Sequence, residues 1–566
     1  SVKEFVREMF KQADAAQGQD GLFTWLGGLV GGDEGERPPE PAGPVGLAAF
    51  VAKVTLPGDA DKKITEPRDR LQMLLVADFG AGAEEAHAFV ERALDDLRAD
   101  GKVTLDDDEH EGVAIRVVAV VPGAKDNDEA AENGPELGDD DENGMDFRDW
   151  EAEPDPFGDA LGRVLVARAG SVLVASTHRP ALEQALDRIA GRRVEALAET
   201  PAWRDTLAQH PDGLHAALAF FLTDWVRSSL GEMFEGAFLP PGGAAGFIGA
   251  LGLTDVTSFS VGVRLNPGQD TLEQTIGLLA PRKSGLLGLL DASLPRLEPP
   301  GFAPADASDF TALALRFDRV IPLMRELANA APEEMREQAQ AGVAAAEAQA
   351  GPVLASLVGD VYLYETISRP LGPASQHVVL AVRLRDPLPL ANTLSGLAGL
   401  GLEPRDFQGN QVFDMDPDSD ESVSIGIGHG FAIVSGTEQV ESALRLAAQP
   451  DAPRLAADER FRAAIAGLPP GGMMYSFTDT AQKLEWSLWM MRNAPEVAAH
   501  EIDEMDFDPE TREEMLRHAR ESQPAWLAKA PPAEVLIRHL GDTALSVRAT
   551  PDGFRGRSVM LPPRRR

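Results

Sequence analysis

The residues best placed to do chemistry in this sequence are carboxylates. In "DDDENGMDFRDWE", Asp139, Asp141, Asn143 and Gly144 match the opening of a calcium loop of the D-x-[DN]-x-[DN]-G type. Such a loop closes alternate oxygen ligands on the cation and uses its glycine for a sharp turn. The remainder departs from that pattern, because Trp150 occupies the place of the bidentate glutamate and a single residue separates Gly144 from Asp146. A solvated acidic loop is the simpler expectation, with calcium as the alternative. A second acidic run, "DMDPDSDES", sets Asp414, Asp416, Asp418 and Asp420 on alternate positions. In an extended chain these side chains share one face and repel unless a cation or water separates them, which makes a second candidate for a weak divalent-ion site. No other cofactor is expected.

The remaining motifs point away from catalysis. His110 in "DEHEG" lies between Glu109 and Glu111, but no H-E-x-x-H spacing occurs, so a solvated histidine is expected. "GIGHG" at 426–430 sits between two strand-like runs and leads into no helix, which predicts a hairpin turn and not a phosphate cradle. There is no G-x-S-x-G elbow, Walker loop or dinucleotide fingerprint. Zero cysteines exclude disulfides, thiolate metal sites and a cysteine nucleophile. A glycosidase-type acid pair is defined by its separation in space, and no spacing here singles one out. No catalytic, cofactor-binding or metal residue is assigned. The chain is expected to be a non-enzymatic structural or binding module, with a hydrolase of a polymeric substrate, using an unrecognised carboxylate pair, as the alternative.

These side chains must be carried by a large frame. At 566 residues with 43% hydrophobic content the chain exceeds a single core and is expected to form two or more domains. Acidic residues outnumber basic ones by 91 to 52, giving a formal charge of −39 that repels phosphate backbones and anionic lipid alike. Nucleic-acid binding is therefore not expected, and a protein or envelope partner is. No run of about 18 apolar residues occurs. The nearest, "AFLPPGGAAGFIGALGL" at 237–253, is broken by Pro240 and Pro241 and predicts a buried loop with a short helix.

The frame is written twice. "STHRPALEQAL" at 176–186 returns as "SGTEQVESAL" at 435–444, and Glu183 with Glu441 fixes an offset of 258 positions (441 − 183). The offset holds for Leu186 and Leu444, Arg204 and Arg462, Pro211 and Pro469, and Gly213 and Gly471, which is the mark of duplication. In "TPAWRDTLAQ" Thr200 is placed to cap a helix that buries Trp203 and Leu207; in "DERFRAAIAG" Asp458, Phe461 and Ile465 take the same places. Strand, helix and hairpin recur in the same order, and "TSFSV" at 257–261 returns as "TALSV" at 543–547. The second copy opens on a strand and helix from "PADASDFTALALRFD", whereas "SVKEFVREMFKQADAAQG" resembles only the end of that helix. A strand and half-helix are accordingly expected upstream of Ser1.

The phrases "LLVADFG", "HEGVAIRVV", "SVLVASTHRPALEQALDRIAG", "LAETPAWRDTLAQ", "PRKSGLLGLL" and "PADASDFTALALRFD" resemble a domain-of-unknown-function family of bacterial extracytoplasmic proteins, abundant in planctomycete-type genomes. The resemblance implies an internally duplicated α+β domain, a signal peptide, and a periplasmic, envelope or secreted location. The expected architecture is α+β: two homologous units, each an antiparallel sheet covered on one side by helices. They would span 1–285, with an acidic loop at about 123–158, and 302–566, joined by a proline-rich segment at 286–301. Leu484, Leu488 and Met491 are expected to be core.

Overall fold

The computed structural model describes residues 42, 45–54, 68–121, 163–192, 199–211, 214, 216–221, 244–266, 271–294, 298–397, 401–415, 422–495, 497–499, 509–521, 527 and 531–563. Asp139, Asp141, Asn143, Gly144, Phe147 and Trp150 lie outside them, as do Asp416, Asp418 and Asp420. The chain divides into two compact units, Ser1–Ala196 and Leu197–Arg566. Both mix helices with antiparallel sheet, the α+β class.

The first unit holds β1 (Val45–Val54), β2 (Arg68–Asp78), β3 (Val103–His110), β4 (Val113–Val120), β5 (Arg163–Ala169) and β6 (Val172–Ser176) in the order β1-β2-β6-β5-β4-β3. Helix α1 (Ala83–Ala99) follows β2 and α2 (Arg179–Ile189) follows β6. Ala86, Val90 and Leu94, four apart on α1, pack on Val118, Val164, Val166 and Leu173. Leu182 and Leu186 of α2 pack on Ile115, Val117, Leu165, Ala167 and Val174. Val164 and Leu165, or Leu173 and Val174, are neighbours in a strand and point to opposite faces. The two helices therefore cover opposite faces, and the expected one-sided cover is corrected. Its cause is legible in "VAIRVVAV" and "RVLVARA", which are apolar at both parities and need burial on both sides.

Among the described residues the second unit holds a thirteen-stranded sheet: β7 (Ala216–Phe221), β8 (Ser258–Asn266), β9 (Thr271–Leu279), β10 (Asp309–Ala314), β11 (Leu357–Ile367), β12 (Gln376–Leu384), β13 (Leu402–Phe407), β14 (Asn410–Met415), β15 (Val423–Gly428), β16 (Phe431–Gly436), β17 (Met474–Thr478), β18 (Thr543–Thr550) and β19 (Gly553–Met560). Their order is β13-β14-β15-β16-β12-β11-β10-β17-β18-β19-β9-β8-β7. The antiparallel β9–β19 pairing, from Gly553 opposite Leu279 to Met560 opposite Leu272, makes β7–β9 part of this sheet. Compactness therefore divides the chain between Ala196 and Leu197, with β7–β9 in the second unit.

Its helices are α3 (Pro201–Leu207), α4 (Ala244–Ala250), α5 (Gly285–Leu289), α6 (Val320–Ala330), α7 (Glu333–Ser356), α8 (Leu388–Gly396), α9 (Thr437–Ala448), α10 (Glu459–Ala466), α11 (Thr480–Arg492), α12 (Pro509–Glu521) and α13 (Ala533–Ile537). Phe302, Phe310, Phe461 and Phe477 are almost wholly buried, and edge-to-face pairs such as Phe461 with Phe477, at 5.4 Å between centroids, fix their geometry. Val440, Ala443 and Leu444 of α9 close on this core, while Ala391 and Leu394 of α8 pack on Phe413, Ile427 and Ala432. Leu488 of α11 is buried with Leu527 and Ala533, and Leu484 and Met491 pack against them, as their spacing predicts. His429 and Gly430 have successive positive φ values of 51° and 81° between β15 and β16. That is the two-residue hairpin turn expected of "GIGHG".

Candidate binding sites

Helix α3 departs from its expected packing and builds a polar site in doing so. Thr200 caps it, accepting from the Trp203 amide at 3.3 Å. Within it only Thr206 is buried, joined by Gln209 in the turn that follows, while Trp203 and Leu207 are only half-buried. The reason lies beneath, where β8 and β9 present hydroxyls and glycines at alternate positions: Ser258, Ser260 and Gly262, then Thr275 and Gly277. Thr206 Oγ1 and Ser258 Oγ share a hydrogen bond at 2.7 Å. The His210 ring spans the hairpin, with Nδ1 2.7 Å from Thr275 Oγ1 and Nε2 2.8 Å from Ser260 Oγ. A Cβ on Gly277 would stand 2.6 Å from Ser260 Oγ and 2.8 Å from Gln209 Oε1, so glycine makes room for the polar layer. Burial, and then the charge of Arg555, hold the His210 imidazole below its ordinary pKa, so it is neutral at pH 7. Further along the same face, buried Glu273 takes ion pairs from Arg264 and from Arg557 Nε at 2.8 Å.

Ser260 and His210 thus stand at nucleophile–base distance, but the arrangement lacks what catalysis requires. Ser260 is 2% exposed. The third group on the ring is the Thr275 hydroxyl, which cannot stabilise an imidazolium as a carboxylate does. The chemistry on show is a hydrogen-bonded polar layer, in which the buried Gln209 Oε1 and Arg264 Nε have no hydrogen-bond partner among the described residues.

A second site is concave. Gly252 and Gly285 both have positive φ, and each would drive a Cβ into the other's loop. Glycine at both places lets the 249–255 turn pack backbone to backbone on "RKSG", with Leu286 N donating to Leu251 O at 3.0 Å. Buried Asp255 clamps the junction by accepting from Ser284 Oγ at 2.5 Å and pairing with Arg282 at 3.1 Å. Beside the clamp is a cavity of about 310 Å³, which Arg282, Lys283 and Arg319 line with Pro322, Leu323 and Glu326. Lys283 is held by Asp291 at 3.0 Å and lies 5.7 Å from the centroid of the Phe554 ring. Arg319 is exposed and has no ion-pair partner among the described residues.

Comparison with protein-family models, curated proteins and solved structures finds no match to this chain.

The acidic residues singled out in the sequence fall elsewhere. Asp414 does not face solvent: it is buried on β14, where it accepts from Arg405 Nε and Nη2 and from Ser424 Oγ. Burial pushes its carboxyl up, but the Arg405 and Ser424 bonds outweigh this and hold it below the ordinary value. His110 is an anchor for α2, with Nε2 2.8 Å from Asp187 and Nδ1 3.7 Å from Glu183. Among the described residues no group of three or more acids and histidines is arranged to hold a metal, and no helix is long and apolar enough to cross a membrane. Sequence reasoning missed His210, because its partners come from two strands 50 and 65 positions away. It also missed Arg282, Lys283 and Arg319, although the paired cations of "PRKSG" stand out in so acidic a chain.

Proposed function

We propose that the chain is a non-enzymatic binding module of the bacterial envelope, grown by duplication of one α+β unit, and that the Arg282–Lys283–Arg319 cavity seats the anionic end of its ligand. The observation that carries the binding reading is the exposed Arg319 guanidinium on the wall of a 310 Å³ cavity, which among the described residues closes no ion pair, Asp318 acting on it only through its charge. Arg282 and Lys283 are already fixed by Asp255 and Asp291, so less freedom is lost when an anion arrives. Pro322 and Leu323 offer an apolar wall and Glu326 an acceptor. The ligand these groups suit is small, with a phosphate or carboxylate next to a hydroxyl or amine.

Support for the duplication comes from strand order, since β1-β2-β6-β5-β4-β3 and β11-β12-β16-β15-β14-β13 run alike. In each set the first helix, α1 or α8, and the second, α2 or α9, take opposite faces. Glu183 of α2 pairs with Arg179 and His110, and Glu441, at the repeat offset on α9, pairs with Arg405 and Arg445. The envelope location rests on the shared phrases alone.

Isothermal titration with inorganic phosphate at low salt tests the cavity. Saturable binding is expected, weakened about tenfold or more in Arg319→Ala, since a hydrogen bond to a charged group is worth roughly 1.5–3 kcal/mol. Equal heats from both proteins would remove the reading.

A further inference from the structure

The outer strands of the two sheets differ in what protects them. A strand with an unpaired edge invites pairing with another chain, and proteins blunt such edges with charge and proline. The outer strand β3 reads "VTLDDDEH" and the outer strand β13 reads "LEPRDF", with Pro404 flanked by Glu403 and Arg405. The outer strand β7 reads "AALAFF", with no charge, proline or bulge. It has the composition of an interior strand. Among the described residues it pairs with β8 alone.

The second half of the chain shows what such a strand is for. β17 precedes the β18–β19 hairpin as β7 precedes the β8–β9 hairpin. It is covered on both sides, pairing with β18 and, from Asp309 opposite Thr478 to Leu313 opposite Met474, with β10. β10 itself is a short alternating strand, with Phe310, Ala312 and Ala314 buried and Asp309, Thr311 and Leu313 half-buried between them.

We propose that the outer edge of β7, unpaired among the described residues, is a strand-acceptor site, which takes in antiparallel register an extended partner segment with the alternation of β10. The inference rests on the duplication reading, in which β7 and β17 hold equivalent places. Recognition is by main-chain hydrogen bonds along 216–221, with specificity from the apolar residues of one parity in the incoming strand. A partner with several like charges would be excluded, because nothing on β7 could pair with them.

The experiment uses the whole chain and a synthetic peptide of residues 308–317, "SDFTALALRF". Hydrogen–deuterium exchange is followed at 216–221 with peptide at increasing concentration. We expect saturable protection, with amide exchange slowed tenfold or more, and loss of that protection when alternate peptide nitrogens on one edge of the strand are methylated but not when those on the other edge are. Free exchange at 216–221 with saturating peptide would overturn the proposal. So would 216–221 amides already protected without it, equal protection by a scrambled peptide, or self-association of the chain that protects the same amides, which would assign the edge to a second copy. A phosphate titration of the same sample reads the cavity separately, and failure of the peptide leaves the shared strand order standing, so the two readings fail independently.

Discussion

Replacing Asp414 by asparagine preserves shape and removes one charge, which isolates what the buried carboxylate does. Asp414 is 6% exposed and receives bonds from Arg405 and Ser424. Bonds to charged groups contribute roughly 1.5–3 kcal/mol each, and stranding a buried partner costs about 3–5 kcal/mol. The second figure applies only in part here. Arg405 is 32% exposed and keeps Glu441 at 2.8 Å, while asparagine still accepts from Ser424. A loss of about 2 kcal/mol is expected at pH 7, read by urea unfolding of wild type and Asp414→Asn side by side. The folded carboxyl titrates below its unfolded value, so its stabilisation is fully present above about pH 4 and is lost as the pH falls through the folded value. The deficit of the variant should therefore shrink on acidification below about pH 4. A deficit under about 0.5 kcal/mol, or one that does not change between pH 7 and pH 3, would refute the account of Asp414 as a buried ion-pair acceptor.

Two further outcomes follow from the polar layer under α3. Gly277→Ala should lower stability by about 1–3 kcal/mol in a thermal melt, because the new methyl meets Ser260 Oγ and Gln209 Oε1 inside ordinary contact distance; an unchanged melting temperature would mean the layer is not closely packed. His210 is held neutral by burial, so the unfolded chain takes up its proton first as pH falls below about 6.5, and wild type should lose stability from there down to the folded value. His210→Asn should flatten that part of the curve, while His87 and His178 keep their own contributions, and identical slopes in the two proteins would show that His210 does not carry the effect.

The local elements were legible where their causes are local. Thr200 and Asp458 announce helix starts, His429 and Gly430 a two-residue turn, and Leu484, Leu488 and Met491 a buried stripe, because each depends on neighbours within one or two turns of chain. The α3 stripe was misread for the opposite reason. Trp203 and Leu207 have the right spacing, but whether they are buried is decided by Ser258, Ser260 and Thr275, which arrive from strands far along the chain and select the face that can hydrogen-bond. Asp414 stands in the sequence as one of four carboxylates on a shared face, a candidate divalent-ion site, because alternation gives the face but not what the face meets. Arg405, nine positions away across the β13–β14 hairpin, turns it inward.

The sequence by itself determined the α+β class, the succession of strands and helices, and the 258-position offset (441 − 183) that relates Glu183 to Glu441, since periodicity and repetition are properties of order along the chain. Tertiary structure alone decided which helix covers which face of each sheet, that β9 pairs with β19, and that Arg282, Lys283 and Arg319 meet around one cavity. Those facts depend on distances between residues remote in sequence, and the free energy of burying apolar surface fixes such distances without leaving a spacing for the sequence to display.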